Sequence, residues 1–249
     1  MTLSKRTDAE QAVDAGNSVH ASWLRRFVRC AIRFILVTVV LVAAATWLIY
    51  ASAQKEPEFY QAALSLSEQA QAEQGDEFEK QVIEVQNNAR IQRQWQAVFT
   101  EAQINGWLAS GFPVKFPNSL PRNVSDPRVG IETDVLRIAF RFNSTRIKGI
   151  VQAELDAFCT EIPGQIAVRI KQVRSGLVPI PVNSIADRLS VALRRLGARV
   201  EWTEIDRDPV VLIALPPDKV RIANKRITIE AIQLLERKLV LMGKSVDLD

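Results

Sequence analysis

The stretch LRIAFRFN, Leu136–Asn143, places a large apolar residue at every second position and a polar or small residue between. A side-chain period of two is typical of a β-strand with one buried face and one wet face. The same period recurs in Ile147–Asp156 and Ile166–Lys171, and the turn signals Asn143-Ser-Thr and Pro163-Gly164 separate the three segments. The sequence therefore predicts half-buried antiparallel strands joined by short turns.

An amphipathic helix is predicted after these strands, over Asn183–Leu196, with Gly197 as its C-terminal stop. The segment Val210–Leu215 is apolar at every position, so we expect a strand covered on both faces. Further strands are predicted near Arg199–Ile205, Arg226–Leu234 and Lys238–Gly243. The expected fold class of residues 99–249 is α+β: a curved antiparallel sheet meander packed on one central helix.

An uncharged apolar run, FILVTVVLVAAATWLIY at Phe34–Tyr50, lies near the N-terminus. About 20 apolar residues rising 1.5 Å each cross a hydrocarbon core of roughly 30 Å. We therefore expect a transmembrane helix over residues 34–53. The motif Ala51-Ser-Ala53 also fits a signal-peptide cleavage site, so cleavage after the span stays open.

Basic residues set the expected orientation of this span. Four arginines, Arg25, Arg26, Arg29 and Arg33, precede it, whereas Lys55 beyond it is followed closely by Glu56. Positive charge favours the cytoplasmic side. We expect a cytoplasmic tail over residues 1–33 and an extracytoplasmic or periplasmic C-terminal domain, anchored in the cytoplasmic membrane. The net charge of +4 is concentrated at this membrane end, so we predict no nucleic-acid partner.

Residues 54–98 are rich in Gln, Glu and Ala, which favours a helical stalk. Gly75 followed by Asp76-Glu-Phe-Glu79 predicts a stop and a new helix start. A short apolar stripe, from Phe78 to Ala89, fits a coiled-coil dimer or a single helix lying against the domain. The box Thr100-Glu-Ala-Gln103 predicts another helix start, and the prolines of Phe112–Arg128 predict an irregular loop.

The sequence contains few residues that could act in catalysis or bind a metal. The single histidine, His20, lies before the span, and Cys30 and Cys159 lie on opposite sides of it. The usual base of nucleophilic catalysis and a thiolate metal site are thus both missing from the outer domain. Acidic residues around Asp206 resemble a divalent-ion pair but fit a hairpin turn better, and Glu154 with Asp156 fits a solvated strand face better than a glycosidase pair. We predict no enzyme activity, no metal and no cofactor.

Five short motifs lie within residues 99–249: FTEAQINGWL (Phe99–Leu108), Leu120-Pro121, DPRV (Asp126–Val129), GLVPIP (Gly176–Pro181) and Glu201-Trp202. Together they resemble a family of single-pass bacterial envelope proteins of planctomycete type that has no assigned activity. More distantly, the Thr-x-x-Gln-x-Asn element and the Gly-x-x-Pro-x-Pro loop are similar to YpmS-type anchored proteins, which in turn resemble tubular lipid-binding (TULIP-like) domains. That resemblance implies a curved sheet wrapped around a helix with an apolar groove between them.

Two functions from different classes follow from this sequence. The first is a membrane-anchored module that holds or transfers a lipid or another apolar envelope component. The second is a structural protein with a solid core that contacts an envelope protein partner. For the first function we predict a groove lined by Phe140, Val151, Ile185, Leu189, Ala192 and Leu193, with head-group contacts from Arg188, Arg194 and Arg195.

Overall fold

A computed structural model describes residues 38, 40–44, 56–143, 148–195, 197–214, 221–222 and 224–247. The chain divides into two compact units, Met1–Tyr50 and Ala51–Asp249. In the first unit, residues 38 and 40–44 are helical. Of the helices within the described residues, none combines the length and the apolar character needed to cross a membrane. The predicted tail 1–33 and most of the predicted span 34–53 lie outside the described residues, so the membrane helix stays a prediction.

Two of the longer helices of the second unit begin at a residue whose side chain accepts a hydrogen bond from an early backbone N–H group. Ser67 Oγ accepts a 3.2 Å bond from the Ala70 N–H, and Thr100 and Gln103 form the predicted capping box. The prediction of a helix start at Thr100 is thus confirmed. In chain order the helices are α1 (Glu58–Leu64), α2 (Glu68–Ile91), α3 (Glu101–Ala109), α4 (Gly111–Lys115) and α5 (Asn183–Arg195).

The strands of this unit form two antiparallel sheets. One has the order β1-β11-β10-β9, and the other has the order β2-β3-β4-β5-β8-β7, with the short β6 added beside β5. The strands are β1 (Gln94–Thr100), β2 (Val124–Glu132), β3 (Val135–Asn143), β4 (Lys148–Cys159), β5 (Gln165–Ser175), β6 (Val178–Pro179), β7 (Arg199–Ile205), β8 (Asp208–Ala214), β9 (Arg221–Ile222), β10 (Lys225–Leu235) and β11 (Lys238–Asp247).

The predicted class, α+β with antiparallel sheets, is confirmed, whereas the prediction of a single meander is wrong. β1 pairs with β11 over Gln94–Thr100 and Lys238–Lys244, so the first strand of the unit closes against the last. The helix α5 is not central, because it packs on β7 at one end of the larger sheet. Val210 and Val211 on β8 are both buried, as we expect for a strand covered on both faces.

The predicted helix break at Gly75 is wrong, because α2 runs unbroken through this residue. Gly75 is buried where α2 crosses α3, and it faces Gly106 there. A Cβ added at Gly106 would lie 2.5 Å from the Gln74 Cβ and 2.7 Å from the Gln71 carbonyl oxygen. The two glycines therefore allow close contact between two helices, which outweighs the low helix propensity of glycine.

The predicted stalk is part of the folded unit. Phe78, Val82 and Val85 of α2 pack against a buried cluster that includes Trp95 and Phe99. Of the two alternatives for the apolar stripe, the structure has the single helix lying against the domain. The boundary predicted at residue 98 falls inside β1, whose buried residues alternate from Trp95 to Phe99.

The proline-rich segment Phe112–Arg128 is only partly the irregular loop that we predict. It begins inside α4, and its last five residues are the start of β2. Pro113 lies in the first turn of α4, where a missing N–H removes no intrahelical hydrogen bond.

Candidate functional site

The strand register of the larger sheet places apolar side chains on one of its two sides. Residues directly opposite each other on paired strands point to the same side, and Phe140 lies opposite Val151, as Leu136 lies opposite Leu155. We call this side the apolar face. It includes Val129, Ile131, Leu136, Ile138, Phe140, Phe142, Val151, Ala153, Leu155, Ala157, Cys159, Ile166, Val168, Ile170, Val173, Val200, Trp202, Val211 and Ile213, with Pro209 and the charged Glu204 at its β7–β8 edge.

A β-bulge preserves the apolar face across β4 and β5. Glu154 pairs with Gln172, but Leu155 pairs with Ile170, so Lys171 is the extra residue. Without the bulge the register would place Lys171 beside Leu155 on the apolar face. Instead Lys171 lies 4.0 Å from the Asp156 carboxylate, and Ile170 continues the apolar row.

The opposite side of the sheet, which we call the charged face, carries ion pairs. Arg137 lies between Glu132 and Glu154, and Glu154 is also 3.6 Å from Arg174. Two parts of this face are apolar: Ala139 and Ile150 pack on Tyr60 under α1. On β5 and β8, Ala167 and Val210 are fully buried on the same side. Because ion pairs occupy the charged face, the apolar face is better suited to an apolar ligand.

Two elements cover opposite ends of the apolar face. At the β7 end, Leu193 of α5 packs on a cluster of Ala198, Val200 and Val211. The Trp202 indole N–H donates a 2.7 Å bond to Ser190 Oγ, which fixes the helix on this strand. At the other end β10 approaches β4, and Cys159 Sγ lies 3.8 Å from the Ile229 carbonyl oxygen.

Between these covers the apolar face is unevenly buried. Ile170 and Val173 each retain only 4% of their accessible surface. Phe140, Val151 and Leu155 remain partly exposed. Partly exposed residues of the apolar face therefore lie on β3 and β4, and also on β5 and β8, where Val168 and Ile213 are partly exposed.

The predicted groove residues lie on two separate parts of the molecule. Phe140 and Val151 form a cross-strand pair on β3 and β4, whereas Leu193 packs on the β7–β8 end of the same face. Three strand steps of about 4.8 Å separate β4 from β7, so the distance is roughly 14 Å. Leu189 is partly buried and Arg194 is exposed, and the side chains of Ile185, Arg188, Ala192 and Arg195 lie outside the described residues.

A cavity of about 760 Å³ opens at the N-terminal end of α5. Its apolar lining includes Val182, Ala186 and Trp202, and its polar lining includes Asp187 and Arg207. Trp202 belongs to the apolar face as well, so the cavity adjoins the β7 end of that face. Sequence reasoning missed this cavity, although the motif Glu201-Trp202 and the end of the Gly176–Pro181 motif both contribute to it.

A second cavity, of about 620 Å³, lies on the charged face below the start of α1. Phe59, Ile150 and Leu177 line it together with Arg137 and Arg174. The two arginines lie within 4 Å of Glu154, so their charges are already paired.

The residues considered for chemistry take structural positions. Asp206 and Arg207 form the tight turn between β7 and β8 with positive φ, and Asp206 pairs with Arg169 at 3.5 Å. Burial raises the pKa of the half-buried Cys159 thiol, which disfavours the reactive thiolate. Within the described residues, no three Asp, Glu, His or Cys side chains are grouped so that they could hold a metal ion.

Sequence reasoning also missed two residues that protect the edge of the larger sheet. The Asn105 amide donates 2.8 Å to the Val129 carbonyl and accepts 2.8 Å from the Val129 N–H, and the Glu101 carboxylate accepts from the Ile131 N–H. Glu101 and Asn105 are four residues apart on α3 and so share one helix face. They satisfy edge groups of β2 that would otherwise be open to pairing.

Comparisons with known proteins give no relative for this chain. No protein-family model, curated protein or solved structure matches the sequence. The resemblance to single-pass envelope proteins and to lipid-binding domains therefore stays a prediction from the motifs.

Proposed function

We propose that this chain is a membrane-anchored extracytoplasmic binding module that holds a lipid, or an envelope component with an acyl chain, on the apolar face. The observation that supports this proposal most is the apolar face itself. From Leu136 on β3 to Ile213 on β8 the face is formed by apolar side chains, Glu204 lies at its β7 edge, and its β3–β4 part is only partly buried. An acyl chain laid on this part would remove apolar surface from water, at about 25 cal/mol per Å².

The location in this proposal rests on the sequence. A helix over 34–53 would anchor the chain in the cytoplasmic membrane, with the tail 1–33 inside and the folded unit outside. A module tethered in this way would meet lipid at the membrane surface. A reporter fused after Asp249 should be active only outside the cytoplasm, and cytoplasmic activity would contradict this location.

A second function, a structural envelope protein with no ligand, is favoured by a different observation. Ile170 and Val173, in the middle of the apolar face, are already buried. If side chains fill the whole face in the same way, the face is an ordinary core and the molecule acts through a protein partner.

One substitution distinguishes the two functions. Val151→Phe adds volume at a partly exposed position on the apolar face, so it should displace bound lipid with little change in melting temperature if a ligand occupies that space. In a filled core the same change overpacks, at roughly 1–3 kcal/mol. Val246→Phe, at a position 50% exposed on β11, is the matched control. Lipid that co-purifies with the full chain, measured by native mass spectrometry, should fall in the first variant only; a destabilised Val151→Phe and a lipid-free wild type would overturn the proposal.

A further inference from the structure

An exposed apolar segment follows α3 and leads into β2. We call residues 112–122 the apolar loop, which comprises most of α4 and the proline-rich stretch after it. Val114 is 78% exposed and Phe116 is 40% exposed, and both neighbouring prolines, Pro113 and Pro117, are exposed as well. A cluster of exposed apolar residues of this kind marks a surface that meets another apolar phase.

Aromatic packing holds the apolar loop in place. The Trp107 ring lies 5.6 Å from the Phe112 ring and 6.2 Å from the Phe116 ring, centroid to centroid. Lys115 Nζ lies 2.7 Å from the Glu79 carboxylate of α2. Because these contacts attach the loop to two helices, Val114 is exposed in a fixed part of the folded structure and not in a flexible segment.

The apolar loop lies at the end of the unit where β2 begins. Asn105 contacts Val129 and Glu101 contacts Ile131, so α3 runs antiparallel to β2. Four helical residues advance about 6 Å and two strand residues advance about 6.6 Å, so every four residues of α3 run alongside two residues of β2. The C-terminal end of α3, and α4 after it, therefore lie level with the first residues of β2.

Glu56, the first described residue of the folded unit, also lies at this end. The Arg141 guanidinium donates a 3.0 Å bond to the Glu56 carboxylate, and Arg141 pairs with Ser125 near the start of β2. The Tyr60 hydroxyl donates a 2.9 Å bond to the Asp126 carbonyl oxygen nearby. Five residues lie between Glu56 and the last residue of the apolar run, Tyr50, and the six Cα–Cα steps that join them span at most about 22 Å.

The charge of the apolar loop suits an anionic lipid surface. From Gly111 to Ser125 the sequence contains two basic residues, Lys115 and Arg122, and no acidic residue. Basic side chains next to exposed apolar and aromatic ones are typical of segments that lie in the bilayer interface. Lys115 is paired with Glu79, so the exposed Arg122 is the basic side chain that would contact lipid phosphate, with its apolar stem among the lipids.

We infer that the apolar loop docks on the bilayer that the predicted anchor crosses, with Val114 and Phe116 inserted at the level of the lipid head groups. The inference rests on the proposed membrane anchor. Its consequence is that the unit is held by two contacts, the anchor and the loop, so that its orientation on the membrane is fixed.

The test uses the full chain in vesicles of phosphatidylcholine and phosphatidylglycerol, with Cys30→Ser and Cys159→Ala to remove the native thiols. An environment-sensitive dye is attached at Val114→Cys, and quenching by nitroxide-labelled lipid is measured. Ile162→Cys is the matched control, because Ile162 is apolar and 60% exposed in the turn after β4. Gly149 on β4 lies level with the start of β2, and ten strand steps lead from it to Cys159. The turn that contains Ile162 is therefore about 33 Å from the end of the unit where β2 begins.

We expect blue-shifted emission at position 114 and several-fold stronger quenching there than at position 162. Equal quenching at both positions would overturn the inference, because the unit would then lie on the membrane without a preferred contact. Absence of quenching at 114 in a chain that still floats with vesicles would overturn the docking and leave the anchor intact. A blue shift at 114 in native membranes but not in pure vesicles would indicate a protein partner instead, and failure to float would contradict the anchor and the inference together.

Discussion

Asn105→Ala should destabilise the folded unit strongly, although it removes only a small polar side chain. Asn105 is 3% exposed, and its amide makes both the donor and the acceptor bond to the Val129 backbone. Alanine would leave the N–H and the carbonyl of Val129 without these partners. Each buried group left unpaired costs about 1–3 kcal/mol. Because water can reach this sheet edge in part, we expect the two groups together to lower the free energy of unfolding by about 2–4 kcal/mol.

The loss can be measured by thermal unfolding followed by circular dichroism. For a unit of this size, about 2–4 kcal/mol corresponds to a fall of roughly 5–15 °C in melting temperature. Asn87→Ala, at an exposed position on α2, is the matched control and should leave the melting temperature nearly unchanged. Hydrogen exchange of the Val129 amide should also accelerate in Asn105→Ala. If the two variants melt at the same temperature, the side chain of Asn105 does not satisfy the edge of β2, and the reasoning about α3 is wrong.

Three further predictions concern packing, the thiol and pH. Gly106→Ala should lose roughly 3 kcal/mol in denaturant unfolding, because its Cβ would meet backbone atoms of α2, whereas a free stalk would tolerate the change. Cys159→Ala should lower the free energy of unfolding by only about 1 kcal/mol in the same assay. A chelator should leave the melting temperature of the wild-type protein unchanged, and a large fall on chelation would indicate a bound metal. Burial, followed by the charge of Asp126, raises the pKa of Tyr60 to about 12 from 10.0, so its contribution to the free energy of unfolding is complete below pH 10 and is lost as the pH rises through 12. This alkaline loss should shrink in Tyr60→Phe, and an equal loss in that variant would contradict the assignment.

Local patterns predicted the strands and helix starts of this fold because their causes are local. The alternation in Leu136–Asn143 and the capping box at Thr100 each depend on a few neighbouring residues. The pairing of β1 with β11 joins segments about 140 residues apart, and no local pattern specifies such a contact. The alternation of buried residues from Trp95 to Phe99 was nevertheless a strand signal within the segment predicted to be a stalk.

Tertiary contacts explain the remaining differences. Glycine often ends a helix, which is why the sequence predicts a break at Gly75. The residue against which Gly75 packs, Gly106, lies in another helix, so no local pattern indicates this contact. The predicted groove required α5 to lie over Phe140 and Val151, and only the strand order, with β5 and β8 inserted between β4 and β7, separates them. The bulge at Lys171 likewise depends on the pairing of β4 with β5. The sequence could identify the apolar residues of the face but not their arrangement across six strands.

The most direct test of lipid binding to the apolar face is photocrosslinking in living membranes. Phe140 on β3 and Phe158 on β4 are both half-buried phenylalanines, but Phe140 lies on the apolar face and Phe158 on the charged face, below the Arg169 guanidinium. A benzophenone side chain replaces each in turn in the full chain, and mass spectrometry identifies the adducts after irradiation. The proposal predicts lipid adducts at position 140 and none at position 158. Absence of lipid at position 140, or equal adducts at both positions, would contradict it.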